Sequence, residues 1–440
     1  MPTTFRPYQP DQSFLLPPSP RDWLPEEHLA YFISDLVETL DLSAFYKPYE
    51  GDGRRNQPFD PRMMVKVLVY AYATGTFSSR KIARKLEEDV AYRVLGAGNF
   101  PSHRTVCEFR QRHLERFEKL MVQVVGLARE SGLVKLGALV IDGTKVKANA
   151  SKHKAMSYGR MVEQEEQIRE QIRELTQRAA QEDAQEDGQH GQENRGDELP
   201  QELRRREDRL RRIQEAKARL EARQIAEDEQ KGRRPEDERK NPRRGPKFSR
   251  DFGIPPEKAQ DNFTDPESRI MKSSGSYEQC YNAQVAVEEG SQLIVATTVT
   301  NNAADNGQLP VLLEVVRSVG GHDPKQVLAD AGYKGEENLA LLEQRGIEGY
   351  ISLGREGKSL PQVDSAHPAT ERMVAKLQSE AGQRRYRRRK AIVEPVLGWI
   401  KQILGFRRFS LRGLERVRGE WNLVCLAVNL KRLQVLQTAG

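Results

Sequence analysis

Cysteine is scarce in this chain of 440 residues: Cys107, Cys280 and Cys425 are odd in number and far apart. They supply neither a disulfide framework nor a CxxC metal site, and a reducing compartment suits them. The seven histidines include no HExxH or other paired spacing, which argues against a zinc hydrolase. No phosphate-cradling P-loop and no GxGxxG follows any expected strand, so nucleotide-driven motors and dinucleotide redox enzymes lack their usual anchor. No apolar run approaches the ~18–20 residues that span a bilayer. The opening segment MPTTFRPYQPDQSFLLPPSP has no basic head before an apolar core. A soluble, unsecreted protein with no membrane partner is expected.

What the chain has instead is charge. Charged residues make up 31% and hydrophobic ones 37%, with a net charge of +7. That balance is polar for this length and predicts a solvated helical extension. It also makes a polyanionic partner plausible. The length suits two to four domains at roughly 100–200 residues each.

Residues 1–57 read as a Pro-rich arm with one amphipathic helix, PEEHLAYFISDLVETL. Asp60-Pro61 is an N-cap and first-turn signal for an apolar helix ending near Gly75. KIARKLEEDVAYRVL predicts a second helix, and Pro101-Ser102 open a long third one reaching Gly132. Short helix, turn and longer basic helix resemble a helix-turn-helix. Arg104 and Arg110 lie in the first turns of that third helix, where a recognition helix meets a groove, so 58–132 is the expected DNA-binding part.

From Leu136 the pattern becomes a strand: ALVI is continuously apolar and alternation continues past Asp142 to Ala148. Asp142-Gly143 is also a hairpin signal, but no turn-flanked return strand follows it. Residues 151–264 read as an insertion. Ile168, Ile172 and Leu175, then Leu203, Leu210, Ile213 and Leu220, recur at helical spacings among charged neighbours, which predicts a coiled hairpin of two helices. Glu182–Asp197 is its expected tip or a disordered loop, and GRRPEDERKNPRRGPK a linker. Strands YNAQVAVE and LIVATTVT follow, then a helix from about Gly307, strand KQVLAD, a helix after Gly335, strand GYISL and closing helices. This order predicts an α/β domain with a mixed sheet, built from 133–150 and 265–440.

Two aspartates close strands beside small residues, Asp142-Gly143 and Asp330-Ala331-Gly332. Ligands of open α/β sheets bind beyond the carboxyl ends of strands. Glu394 stands in YRRRKAIVEPVLGWIK, the most basic stretch of the chain, with Lys401 two helical turns further on. Three carboxylates suit magnesium, and two such ions can activate an attacking oxygen and stabilise a leaving one. Asp305 is a spare carboxylate, although Asp-Asn there also reads as a helix start.

VIDGTKVKANAS, YNAQVAVE with VTNNAADNGQLPVLLE, VLADAGYKGEENL, and Tyr386, Arg389, Glu394 and Lys401 in YRRRKAIVEPVLGWIKQILGFRRF together resemble a bacterial insertion-sequence transposase of the DDE type. Within these the chain is similar to the IS-four/IS-five superfamily, in particular the IS-eleven-eighty-two group. The resemblance implies an RNase H-like catalytic fold, magnesium (or manganese) as cofactor, and cutting and transfer of an element's ends. It makes Asp142, Asp330 and Glu394 the catalytic metal ligands. Tyr386, Arg389, Lys390, Lys401, Arg407 and Arg408 become candidate contacts to double-stranded DNA, both element ends and target, in a complex expected to hold a homodimer. A cytoplasmic, nucleoid-associated location goes with it. Arg389 and Glu394 have four residues between them where the superfamily has three, which leaves Lys390 as the alternative to Arg389. A metal-dependent nuclease without strand transfer, or an inactive DNA-binding or coiled-coil interaction protein, are the rival readings.

Overall fold

The computed structural model describes residues 19–50, 57–190, 201–235, 250–273, 275–354 and 367–438. The amino-terminal part is helical: α1 (Leu29–Thr39), α2 (Ser43–Tyr46), α3 (Pro61–Ala73), α4 (Ser79–Glu88), α5 (Val90–Gly96), α6 (His103–Arg112) and α7 (Leu114–Glu130). Asp60 caps α3 by accepting a hydrogen bond from the Arg62 N–H at 2.7 Å, with Pro61 in the first turn. Two helices expected to be continuous are broken. The second divides at Asp89, whose extended backbone and side chain start α5 by accepting from the Ala91 N–H. The third divides at His113, where the chain leaves helical geometry and the imidazole is fully buried against Phe45 and Phe109. Burying that ring outweighs the modest propensity for continuing one helix.

Strand β1 (Ala138–Lys147) follows. The chain then leaves through β2 (Ala155–Ser157), runs out along α8 (Tyr158–His190), back along α9 (Gln201–Gln230), and returns through β3 (Gln260–Asn262), which pairs antiparallel with β2. Ile168, Ile213, Ala216 and Leu220 are buried between the two long helices. Helix α8 continues to His190, further into the acidic stretch than a loop at 182 would allow. The rest of that stretch, and the linker from residue 236, lie outside the described residues.

The remaining elements are β4 (Arg269–Ser273), β5 (Ser276–Glu288), β6 (Ile294–Thr300), α10 (Gln308–Gly320), β7 (Gln326–Ala329), α11 (Glu336–Gln344), β8 (Glu348–Ile351), α12 (Pro368–Gln378), α13 (Glu380–Gly398) and α14 (Leu414–Thr438). One sheet has the order β4-β5-β1-β7-β8, with β6 also on β5. Strands β1, β7 and β8 are parallel, and β5 runs against β1, β4 and β6. This is the mixed α/β sheet of an RNase H-like domain. The hairpin of β4 with the first half of β5 is an element that sequence alone did not indicate.

Helix α14 joins the two halves. It packs on α3, α7 and β6, with Trp421, Leu423, Cys425 and Ala427 buried, so one hydrophobic core runs from the amino-terminal helices into the sheet. Its Asn429 accepts from the Ile294 N–H and donates to the Ile294 carbonyl, both at 2.8 Å, satisfying backbone that the edge strand β6 would otherwise leave open. Among the described residues no helix is long and apolar enough to cross a membrane.

Candidate active site

Asp142 lies inside β1, paired with Val285 of β5, and is therefore no turn residue. The parallel register of β1 with β7 ends at Ile141 opposite Ala329. The next residues on the two strands are Asp142 and Asp330. Neighbouring strands are about 4.8 Å apart, which sets the two carboxylates beside each other at one edge of the sheet. Asp330 leaves its strand and caps the following turn by accepting from the Gly332 N–H at 2.8 Å. Asp142 accepts from the Gly143 N–H at 2.8 Å and meets the Arg389 guanidinium at 3.0 Å. Burial raises the Asp142 carboxyl to about 6; the Arg389 charge opposes that rise and the Asp330 charge adds to it.

Helix α13 carries the basic stretch, and its arginines divide by face. Arg384 pairs with Glu380, while Arg385 and Arg388 both reach Glu289. Arg389 alone of these turns to Asp142, with Tyr386 half-buried against its guanidinium. Of the two alternatives, Arg389 is the one paired with Asp142. Glu394 is exposed on α13 and makes no hydrogen bond or ion pair among the described residues. The structure therefore brings Asp142 and Asp330 together, and among the described residues no third carboxylate converges with them as a ready metal site. Pro395 interrupts the helix. The carbonyl it leaves free, Ala391 O, accepts from Gln292 Nε2 at 3.2 Å, and the helix widens to a π turn over Trp399–Ile403. That turn carries Lys401, whose Nζ donates to the Lys145 carbonyl at 3.3 Å. Burial holds its amine below the usual range, with Cys280 and Asp142 opposing.

Beyond Lys401, buried Phe406 and Phe409 anchor a segment that runs beside the end of β1, with the Lys147 N–H donating to the Arg407 carbonyl and Phe409 N–H to the Lys147 carbonyl. Arg407 and Arg408 are thus exposed near the carboxyl end of that strand. Arg104 is exposed on α6. Arg110 is not available to DNA: it is 4% exposed, and its guanidinium donates to the Tyr72 hydroxyl and the Phe77 carbonyl. Tyr72 in turn donates to buried Glu420, so Arg110 serves a polar link between the amino-terminal helices and α14.

Asp305, the spare carboxylate, adjoins the site. Its Oδ1 accepts from Lys145 Nζ at 3.2 Å, Asn282 Nδ2 at 2.6 Å and Gln284 Nε2 at 2.7 Å. The two glycines explain themselves here. A Cβ on Gly143 would stand 2.4 Å from Gln284 Nε2 and 2.8 Å from Asp305 Oδ1. One on Gly332 would stand 2.9 Å from Asp330 Oδ1 and 3.0 Å from Asp305 Oδ2. Both are small to admit this internal network. Asn282, Gln284 and Tyr333, which bonds Gln284, were missed in the sequence. The signal was present: two amides alternate within an otherwise apolar, buried strand.

Among the described residues no three His, Cys, Asp or Glu side chains converge as a ready metal cage. The Asp142 and Asp330 pair nonetheless fits a hard divalent ion. Magnesium keeps several waters and is commonly held by one or two carboxylates plus substrate phosphates. The mutual repulsion that helps raise Asp142 is what such an ion would relieve.

A mixed sheet with two aspartates ending adjacent parallel strands, overlaid by a basic helix, is consistent with an RNase H-like domain. Comparison with protein families narrows it. Residues 249–430 match the family described as Transposase DDE domain, and residues 18–112 the family described as Transposase domain (DUF772). The chain is a DDE transposase of the insertion-sequence type. No curated protein and no solved structure gave a match.

Proposed function

We propose that the protein binds the ends of an insertion element, cleaves them, and joins the freed 3′ ends to target DNA. The observation that carries this reading is the parallel register of β1 with β7, which leaves Asp142 and Asp330 side by side. A divalent ion held by that pair, magnesium or manganese, would supply activation of the attacking oxygen and stabilisation of the leaving one. Arg389, at 3.0 Å from Asp142, exchanges that carboxylate for a substrate phosphate, to which its planar fork is suited. Lys401, half-buried beside the Lys145 carbonyl, holds a second phosphate oxygen. Glu394 is the third carboxylate. Exposed and, among the described residues, without a hydrogen bond or ion pair, it is free to complete the site when DNA seats against α13.

The remainder of the chain positions DNA. Residues 58–132 are the helical DNA-binding part, with Arg104 on the exposed start of α6, and 133–150 with 265–440 form the catalytic part. Arg407 and Arg408 follow the backbone past the site, and two copies act in the complex. The test is incubation of the protein with duplexes ending in the element's own termini, plus supercoiled plasmid and Mg2+. Joined end-to-plasmid product supports transposition. Cleaved ends without joined product reduce the protein to a nuclease, and neither product overturns the reading.

A further inference from the structure

Helix α9 presents a row of arginines that nothing in the catalytic site uses. Arg205, Arg209, Arg212, Arg219 and Arg223 follow at steps of four, three, seven and four residues and so fall on one flank of the helix, which meets the packed face at buried Ala216 between Arg212 and Arg219. At a rise of 1.5 Å per residue this row is about 27 Å long. Of the acidic residues of the same segment, Glu207 and Glu221 fall on the opposite side of the helix, while Asp208 and Glu215 border the row one turn from Arg212. Asp208 is paired with Arg211, and Glu221 accepts from the Tyr158 hydroxyl.

The row is poorly neutralised. Arg205, Arg209 and Arg212 are exposed. Among the described residues Arg205 and Arg212 have no ion pair, and Arg209 reaches only the neutral side chain of Gln164 at 2.7 Å. Arg219 and Arg223 share a single buried carboxylate, Asp261. At its inner end the row opens into a cleft of about 650 Å³ lined by Arg223, Arg269, Asn301 and Asn302. Asn302 leads into the loop of Asp305, and its carbonyl accepts from Asn282 Nδ2 at 3.2 Å, within the network beside Asp142. The inner end of the row thus lies near the loop that carries Asn302 and Asp305.

We propose that this flank of the inserted arm is a second contact surface for duplex DNA, gripping the phosphate backbone away from the cleaved bond. A regular row of arginines along a straight helix matches a polyanion and carries no means of reading bases. A second copy of the same flank would be repelled by it, which disfavours self-association through this face. The inference rests on the DNA reading above.

The test uses the full chain with Arg205→Glu, Arg209→Glu and Arg212→Glu combined, leaving the Asp261 clamp intact. Binding to a 50-base-pair duplex of random sequence is measured by anisotropy over a salt series. Loss of three phosphate contacts is expected to flatten the slope of log K against log salt by about 2.7 and to weaken binding more than tenfold at low salt. The matching Arg→Lys triple is expected to retain most of both, and circular dichroism should report unchanged helix in each. If wild-type protein binds the duplex and the Glu triple binds it with the same slope, the surface is not a DNA contact. A change of mass in light scattering with an unchanged slope assigns the arm to self-association and likewise overturns the proposal. Failure of the wild type to bind duplex at any salt overturns the DNA reading itself.

Discussion

Arg389 of α13 and Asp142 of β1 are joined by a 3.0 Å ion pair, both largely buried, so the acidic edge of the sheet is held by a protein cation. A divalent ion bound there, as proposed, would compete with Arg389 for one carboxylate. Arg389→Ala removes the competitor and leaves Asp142 beside Asp330 uncompensated, at a cost of about 1–3 kcal/mol. The melting temperature without metal should fall. Saturating Mn2+ should raise it by more in the variant than in the wild type. An equal or smaller increment in the variant means Arg389 does not occupy the metal position.

Asp142→Ala and Asp330→Ala are expected to abolish end cleavage while retaining duplex binding. Glu394→Gln should lower cleavage roughly 100-fold or more. Because Glu394 is exposed and makes no hydrogen bond or ion pair among the described residues, its replacement should leave the folding stability within about 0.5 kcal/mol of wild type. Parallel gel assays for cleavage and binding, with a melt of each variant, check this. Full activity in Glu394→Gln would remove it from the site.

Gly143→Ala places a methyl 2.4 Å from Gln284 Nε2 and 2.8 Å from Asp305 Oδ1. The side chains of Gln284 and Asp305 must shift to admit it, which disrupts the hydrogen bond between them. Destabilisation of about 1–3 kcal/mol is expected in chemical denaturation, typical of overpacking. Gly98, where a Cβ meets nothing within 4 Å, is a poor control because its φ is +76°, whereas Gly126 has open space and helical backbone. Gly126→Ala should be neutral or stabilising.

His113 gives a pH signature. Burial among Phe45, Phe109 and Tyr49 lowers its imidazole to about 3, and the guanidinium of Arg116 and the charge of Arg112 act in the same direction. In the unfolded chain it titrates near 6.5. The unfolded state therefore binds the extra proton between those values, so stability is full above about pH 6.5 and is lost as pH falls toward 3. Melting temperatures from pH 7.5 to 4.5 should fall, and His113→Phe should reduce that fall. An identical pH profile in the variant would exclude His113 as its source.

The amino-acid order by itself determined most of the elements, but neither β4 nor the helix breaks at Asp89 and His113. An apolar run ending in Asp142, the short run ending in Asp330, and helical spacing in the inserted arm are local patterns, and period and burial follow from them directly. What tertiary structure decided is which side chains share a space. Arg110 and Arg389 read alike as basic residues on helices, yet one is consumed by Tyr72 and Phe77 and the other meets Asp142. Asp305 read as a helix start, and folding made it the acceptor for Lys145, Asn282 and Gln284. His113 broke a helix because its ring found an aromatic pocket built by distant residues. Local propensities differ by tenths of a kcal/mol, while desolvating or pairing a polar group is worth several times more, so contacts between distant segments set the site.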